Sequence, residues 1–213
     1  MGDGSAVLLD VLRAVCRELP AKEAYLGELD AAIGDGDHGI TITRCCRIVD
    51  ARLDACESLP VPAILEAIGT AVIDGGGGAT GPLLGGALIA AGRAPAGAGP
   101  LTEVSIPTLL EAGMRAVEAT GHARVGDKTV LDALAPAVEA ARRTAEEGAG
   151  AAAIVRAAAD AAAAGADATA AMRGGAGKAG RWGDAAVGHP DPGAVSLAIM
   201  LRVAAARLEE TAR

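Results

Sequence analysis

Leu8, Leu12, Val15 and Leu19 recur at helical spacing, and Pro20 ends the run. The pattern predicts a second helix over Ala24–Ala32, broken by Gly34 and Gly36, and a third from about Gly39 to Cys56. Ile64, Leu65, Ile68 and Val72 form a stripe that begins near Pro62, a residue suited to a first helical turn, and Gly75-Gly76-Gly77-Gly78 ends it. Pro82 opens a helix through Ala91, and Arg93–Pro100 reads as a loop. Pro107 starts a helix bearing Leu110, Met114 and Val117 that stops near Gly121. Lys128–Glu147 carries Leu131, Leu134, Val138 and Ala141 on one face, Ala149–Met172 is a long Ala-rich helix, and a final helix spans about Gly193–Leu208. That makes eight or nine helices with short connections and no strand.

Composition sharpens this to an all-α protein. Hydrophobic residues make up 51% of the 213, yet there is no Phe, one Tyr and one Trp, so Ala, Leu, Val and Ile must build the core. Alanine is the strongest helix former, and β-branched or aromatic runs that would favour a sheet are scarce. The length suits one domain over residues 1–213. The net charge of −8 and the scattered Lys and Arg leave no basic stripe for nucleic acid. Cys16, Cys45, Cys46 and Cys56 contain no zinc spacing and read as small, reduced core residues. No signal-peptide pattern opens the chain, and no apolar run reaches the ~20 residues of a membrane span. The expectation is a soluble, cytoplasmic protein that binds neither nucleic acid nor membrane.

The glycines gather in four inter-helix loops, Gly34–Gly39, Gly75–Gly81, Gly121–Gly126 and Gly174–Gly193. Alternate loops of an up-and-down bundle lie at the same end, so these four are expected to ring one mouth. In the first, Asp30, Asp35 and Asp37 place three carboxylates within eight residues. Hard oxygen donors with open positions suit Mg²⁺, which keeps waters and accepts phosphate oxygens as further ligands. A calcium EF-hand loop does not fit, because Gly39 and Cys46 stand at its fifth and twelfth positions. The plainer alternative has Asp37 capping the next helix with Asp30 and Asp35 solvated; it leaves three carboxylates among three glycines unexplained.

The second loop, Gly75–Pro82, enters a helix and can offer backbone N–H groups to an anion, or serve only as a hinge. It lacks the Gly-Lys-Ser/Thr of a Walker A loop. In the third, Asp127 reads as a helix cap and Lys128 as a solvated side chain or a phosphate contact, the former being the commoner outcome. The fourth is long and without regular structure, and carries Lys178, Arg181, Trp182 and a His189-Pro190-Asp191-Pro192-Gly193 turn into the last helix. His38 and His189 are binding candidates.

These motifs resemble those of the dihydroxyacetone kinase L subunit family. Leu29-Asp30-Ala31-Ala32-Ile33-Gly34-Asp35-Gly36-Asp37-His38-Gly39 matches its signature nearly residue for residue. Gly78-Ala79-Thr80-Gly81-Pro82-Leu83, Gly126-Asp127-Lys128-Thr129 and Gly188-His189-Pro190-Asp191-Pro192-Gly193 follow in the family's order and spacing. The resemblance implies an antiparallel eight-helix barrel with a nucleotide site at one mouth, formed by inter-helix loops. It implies two Mg²⁺ ions on Asp30, Asp35 and Asp37, and an ADP or ATP meeting His38, Gly39, Ile40, Thr41, Ala79, Thr80, Gly121, Val130, Lys178, Asp191, Pro192 and Gly193. It also implies a K-type partner subunit that holds dihydroxyacetone covalently on a histidine. Some members use ATP; others keep ADP bound and have it rephosphorylated by a phosphotransferase-system protein. Thr41 stands where many phosphotransferase-dependent members carry Asn, and Lys178 where Arg is common, which removes bidentate phosphate contact there.

The leading expectation is therefore a kinase subunit that transfers phosphoryl from a Mg-bound nucleotide to a short ketose, with no side chain acting as nucleophile. A kinase subunit for another short sugar such as a tetrulose is the enzymatic rival, and a nucleotide-binding regulatory module the non-enzymatic one. Self-association stays open.

Overall fold

The computed structural model describes residues 3–95 and 105–211. Among them are nine α-helices and no strand: α1 (Asp3–Glu18), α2 (Glu23–Ile33), α3 (His38–Leu53), α4 (Val61–Gly75), α5 (Thr80–Arg93), α6 (Ser105–Gly121), α7 (Leu131–Glu146), α8 (Ala151–Ala168) and α9 (Pro192–Thr211). Most of the expected loop over Arg93–Pro100 lies outside the described residues.

Eight of the helices close a ring. Packing runs from α1 to α3, α4, α5, α6, α7, α8 and α9, and α9 returns to α1. The short α2 stands outside the circuit and rests on α3 and α9. The expected eight-helix barrel is thus present with one extra helix, which brings the first loop to the ring's edge.

The ring is lined differently around its circumference. On the α3–α4 side, Leu9, Val49, Leu53, Ile64, Ile68 and Val72 are buried together. On the α7–α8–α9 side the buried set is mostly alanine, including Ala133, Ala137, Ala158, Ala162, Ala194 and Ala198. Methyl side chains let these helices approach at the short end of the usual ~8–10 Å interaxial range. Pro136 lies inside α7 and has no N–H for the Asp132 carbonyl one turn earlier. Gly165 of α8 packs against that carbonyl, where a β-carbon would collide. On the opposite side, a β-carbon at Gly69 would sit 2.6 Å from the Gly85 carbonyl oxygen, and one at Gly85 would sit 2.5 Å from that of Gly69. The α4–α5 crossing is a backbone-to-backbone contact.

Three boundaries depart from the periodicity. The Lys128–Glu147 pattern becomes helical only at Leu131, because Lys128 adopts φ +61°, a left-handed backbone that ends any helix. Ala149–Met172 runs as α8 and then tightens into a 3-10 turn over Thr169–Ala171. The fourth loop holds two short 3-10 turns, Ala179–Arg181 and Gly183–Ala186. Cys45, Cys46 and Cys56 are buried, Cys16 is half-buried, and all four are free thiols, as read from their spacing. No helix among the described residues is long and apolar enough to cross a membrane.

Candidate functional site

The four glycine loops meet at one mouth of the ring, around a cavity of about 900 Å³. Its wall contains His38 and Thr41 from the start of α3, Ala79 and Thr80 from the start of α5, Val130 and Leu131 from the start of α7, and Pro192 and Gly193 from the start of α9. Four helix N-termini therefore face one space. Each directs the positive end of a helix dipole toward it, which favours an anion there, although the His38, Leu131 and Ala194 N–H groups are already held by Asp30, Thr129 and Asp191. One side is apolar: Leu83, Val117, Ala123, Val130 and Leu131 belong to a single packed cluster.

The carboxylates stand at the rim. Asp30, in the last turn of α2, is 1% exposed, whereas Asp35 and Asp37 are open to solvent. Oxygens from the three lie within 4.8 Å of one another. The intervening turn depends on Gly36 at φ +78° and on Gly34, where a β-carbon would strike the Asp30 carboxylate. Asp30 Oδ2 accepts the His38 N–H at 3.1 Å, which fixes the first turn of α3. Asp37 makes no side-chain cap of α3, so capping does not account for it.

Lys178 of the fourth loop reaches into this cluster. Its ammonium is 2.5 Å from Asp35 Oδ1, 2.6 Å from Asp37 Oδ1 and 3.2 Å from Asp30 Oδ2. The hydrogen bond from Lys178 holds the Asp35 carboxyl well below the usual range, and the three carboxylates together raise the Lys178 ammonium against its burial. A cation is thus already held where three hard oxygen donors converge. The donor set, its spacing and its demand for positive charge fit Mg²⁺.

His38 is turned inward. Its Nε2 lies 3.0 Å from Ser196 Oγ, and that hydroxyl donates to the Gly193 carbonyl at 3.0 Å. Burial pushes the imidazole below its usual value, so it is neutral at pH 7 and ties α3 to α9. Asp191 caps α9, accepting the Ala194 N–H at 2.7 Å. Burial raises its carboxyl to about 6, against the pull of that N–H and of the nearby Lys128.

Of the residues singled out in the sequence, Asp30, Asp35, Asp37, His38, Thr41, Ala79, Thr80, Gly121, Val130, Lys178, Asp191, Pro192 and Gly193 all line the cavity. Gly39 and Ile40 do not. Gly39 is pressed against the Glu23 backbone of α2, and Ile40 is 54% exposed on the outer face of α3. His189 is exposed and contributes its carbonyl rather than its ring. The third loop requires two corrections. Lys128 is buried rather than solvated, with 1% of its surface exposed. Asp127 does not cap α7, because its carboxylate turns back to the Arg124 N–H at 2.8 Å. Asp132 braces the turn into α7 instead: its Oδ2 accepts the Thr129 N–H at 2.8 Å, while Thr129 Oγ1 accepts the Leu131 N–H at 3.3 Å. The Thr-x-x-Asp spacing was a legible signal for it.

Comparison with known proteins follows the same lines. The DAK2 domain model matches residues 32–206. The ADP-binding subunit DhaL of the PEP-dependent dihydroxyacetone kinase of Escherichia coli is 33% identical over 196 residues, covering 92% of this chain and 93% of that protein. L-erythrulose 1-kinase of Mycolicibacterium smegmatis is 34% identical over 197 residues, 92% of this chain and 34% of that one. The crystal structure of the dihydroxyacetone kinase from C. freundii in complex with AMP-PNP and Mg2+ superposes with a TM-score of 0.71 at 27% identity, over 97% of this chain and 34% of that one. The chain thus spans about a third of the length of the latter two proteins.

Proposed function

The chain belongs to the DAK2-domain family of dihydroxyacetone kinase L-type subunits, and on that premise we propose that it is a Mg–nucleotide phosphotransfer subunit serving dihydroxyacetone. The observation that carries this reading is the convergence of three carboxylates and four helix N-termini on one cavity. Asp30, Asp35 and Asp37 would hold Mg²⁺, two ions on this reading, with Asp30 fixed by its bond to the His38 N–H. Bound Mg²⁺ supplies neutralisation of the charge that develops on the phosphoryl oxygens.

The protein's own contribution is positioning. The backbone N–H groups of Ala79 and Thr80 at the start of α5 face the cavity for the phosphates, and the dipoles of α3 and α9 favour their charge. Leu83, Val117 and Val130 offer an apolar wall to the base, with Gly121 beside it. Lys178, now held by the three carboxylates, would be available to a phosphate oxygen where Mg²⁺ supplied their countercharge. None of these groups is a nucleophile, and none grips a small ketone. The acceptor is therefore presented by a K-type partner subunit docked over the mouth, in line with the transferred phosphoryl group.

Two phosphoryl sources suit the site: ATP, or a resident ADP rephosphorylated by a phosphotransferase-system protein. The relatives named PEP-dependent support the second. A second acceptor, a tetrulose, is supported by the 34% identity to L-erythrulose 1-kinase. The test is calorimetry of Mg–ADP with the wild type and the Asp35→Asn/Asp37→Asn double variant. It is paired with an assay of phosphate transfer to dihydroxyacetone and to erythrulose, with and without a K-type subunit. Weaker binding in the double variant and transfer only with the partner are expected. Unchanged binding would remove the metal assignment, and full activity of the chain alone would remove the two-component reading.

A further inference from the structure

Lys128 is the largest fully buried side chain among the described residues. A buried ammonium persists only where acceptors surround it, and here they come from two other segments. Its Nζ donates to the Thr169 carbonyl, at the end of α8, and to the His189 carbonyl, before α9, each at 2.5 Å. Thr169 in turn accepts the Asp191 N–H on Oγ1 at 2.8 Å, and the Gly188 N–H goes to the Ala170 carbonyl at 2.7 Å. The Asp127 carbonyl beside Lys128 accepts the Gly175 N–H at 3.0 Å. One side chain thus joins the entry of α7, the exit of α8 and the entry of α9.

The charges around it are consistent with this. Burial pulls the Lys128 ammonium below its ordinary value, and Asp191 and Asp132 act against that pull. The carbonyl of Thr169 lies at the negative end of α8, which also favours a cation. The backbone offers no competing reason for a lysine, because φ +61° is a conformation that glycine adopts more easily.

We propose that Lys128 is a positioning residue for nucleotide capture: its ammonium clamps the turn before α9 to the end of α8, and so holds Asp191, Pro192 and Gly193 against the cavity. This deepens the nucleotide-site reading and rests on it. Lys128 also borders the cavity, but its Nζ is committed to the Thr169 and His189 carbonyls, so it acts through the α9 entry, whereas Lys178 reaches the carboxylates.

Two variants separate the ammonium from the turn. Lys128→Met removes the charge and keeps most of the volume, and Lys128→Gly also relieves the left-handed backbone. Each is compared with the wild type by calorimetry with Mg–ADP and by hydrogen exchange of the amides from Gly188 to Val195 without ligand. Both variants are expected to keep native helical circular dichroism, to exchange those amides faster, and to bind Mg–ADP at least tenfold more weakly. Wild-type affinity in Lys128→Gly would show that only the turn matters and would overturn the proposal, as would unchanged exchange in both variants. Loss of helicity in both would make Lys128 a support of the whole fold and would equally overturn it. A wild type that does not bind Mg–ADP would instead sink the nucleotide reading, and the exchange comparison would still test the clamp.

Discussion

Lys178 and Asp30 stand 148 residues apart in the chain, yet the ammonium of the first lies 3.2 Å from Oδ2 of the second. Asp30 is almost fully buried while Lys178 keeps 40% of its side chain exposed, so the lysine enters the cluster from the solvent side. This cation offsets the mutual repulsion of three carboxylates whose oxygens lie within 4.8 Å of one another.

Replacing Lys178 with Met should therefore change the response to metal more than the fold. The pairs with Asp35 and Asp37 are exposed and contribute little, but buried Asp30 loses its countercharge, so the metal-free variant should melt several degrees below the wild type while keeping its fold. Added Mg²⁺ should raise its melting temperature by more than that of the wild type, because no ammonium has to leave. Equal Mg²⁺-induced shifts in the two proteins would show that Lys178 does not occupy the metal's place.

Asp30 should matter to stability as well as to binding. Asp30→Ala strips the buried His38 N–H of its 3.1 Å acceptor, a loss of ~1–3 kcal/mol. Asp35→Ala removes a solvent-exposed group and should cost only ~0.5 kcal/mol or less. Urea denaturation compares them, and equal losses would mean that Asp30 does not anchor α3.

The α4–α5 contact has no room for a side chain. Gly69→Ala and Gly85→Ala each place a methyl within 2.6 Å of a carbonyl oxygen on the facing helix. Either should destabilise by ~1–3 kcal/mol despite the higher helix propensity of alanine. A gain in melting temperature would show that the helices separate freely.

Asp191 should leave a signature in the pH dependence of folding. Its carboxyl titrates at about 6 in the folded chain against an ordinary 3.8, so between these values the folded state holds a proton that the unfolded state has released. Its contribution to stability is greatest below about 3.8 and is lost as pH rises through 6. Asp35, held low by Lys178, acts in the opposite sense and loses its contribution as pH falls. Comparing the wild type with Asp191→Asn isolates the first effect. Relative to the wild type, the variant should gain stability from pH 4 to about pH 6 and then level off. A constant difference across that range would exclude the buried carboxyl as its source.

The all-helical class, the four glycine loops and the carboxylate cluster are legible in the order of residues alone. Apolar residues at helical spacing mark one face of each segment wherever they fall, and glycine and proline punctuate them locally. Three aspartates in eight residues are close in space because they are close in the chain. The remaining features arise from contacts between distant segments. Periodicity identifies α2 as a helix but cannot place it outside the ring, since that depends on α9 finding α1. The left-handed backbone at Lys128 carries no sequence mark, because non-glycine residues adopt it only when distant contacts hold them there. Lys128 and Lys178 are both basic residues in glycine loops, and nothing local tells them apart. One was drawn into the ends of α8 and α9 and the other into the carboxylates of α2 and its loop, because a long flexible cation is placed by whichever acceptors folding brings within its reach.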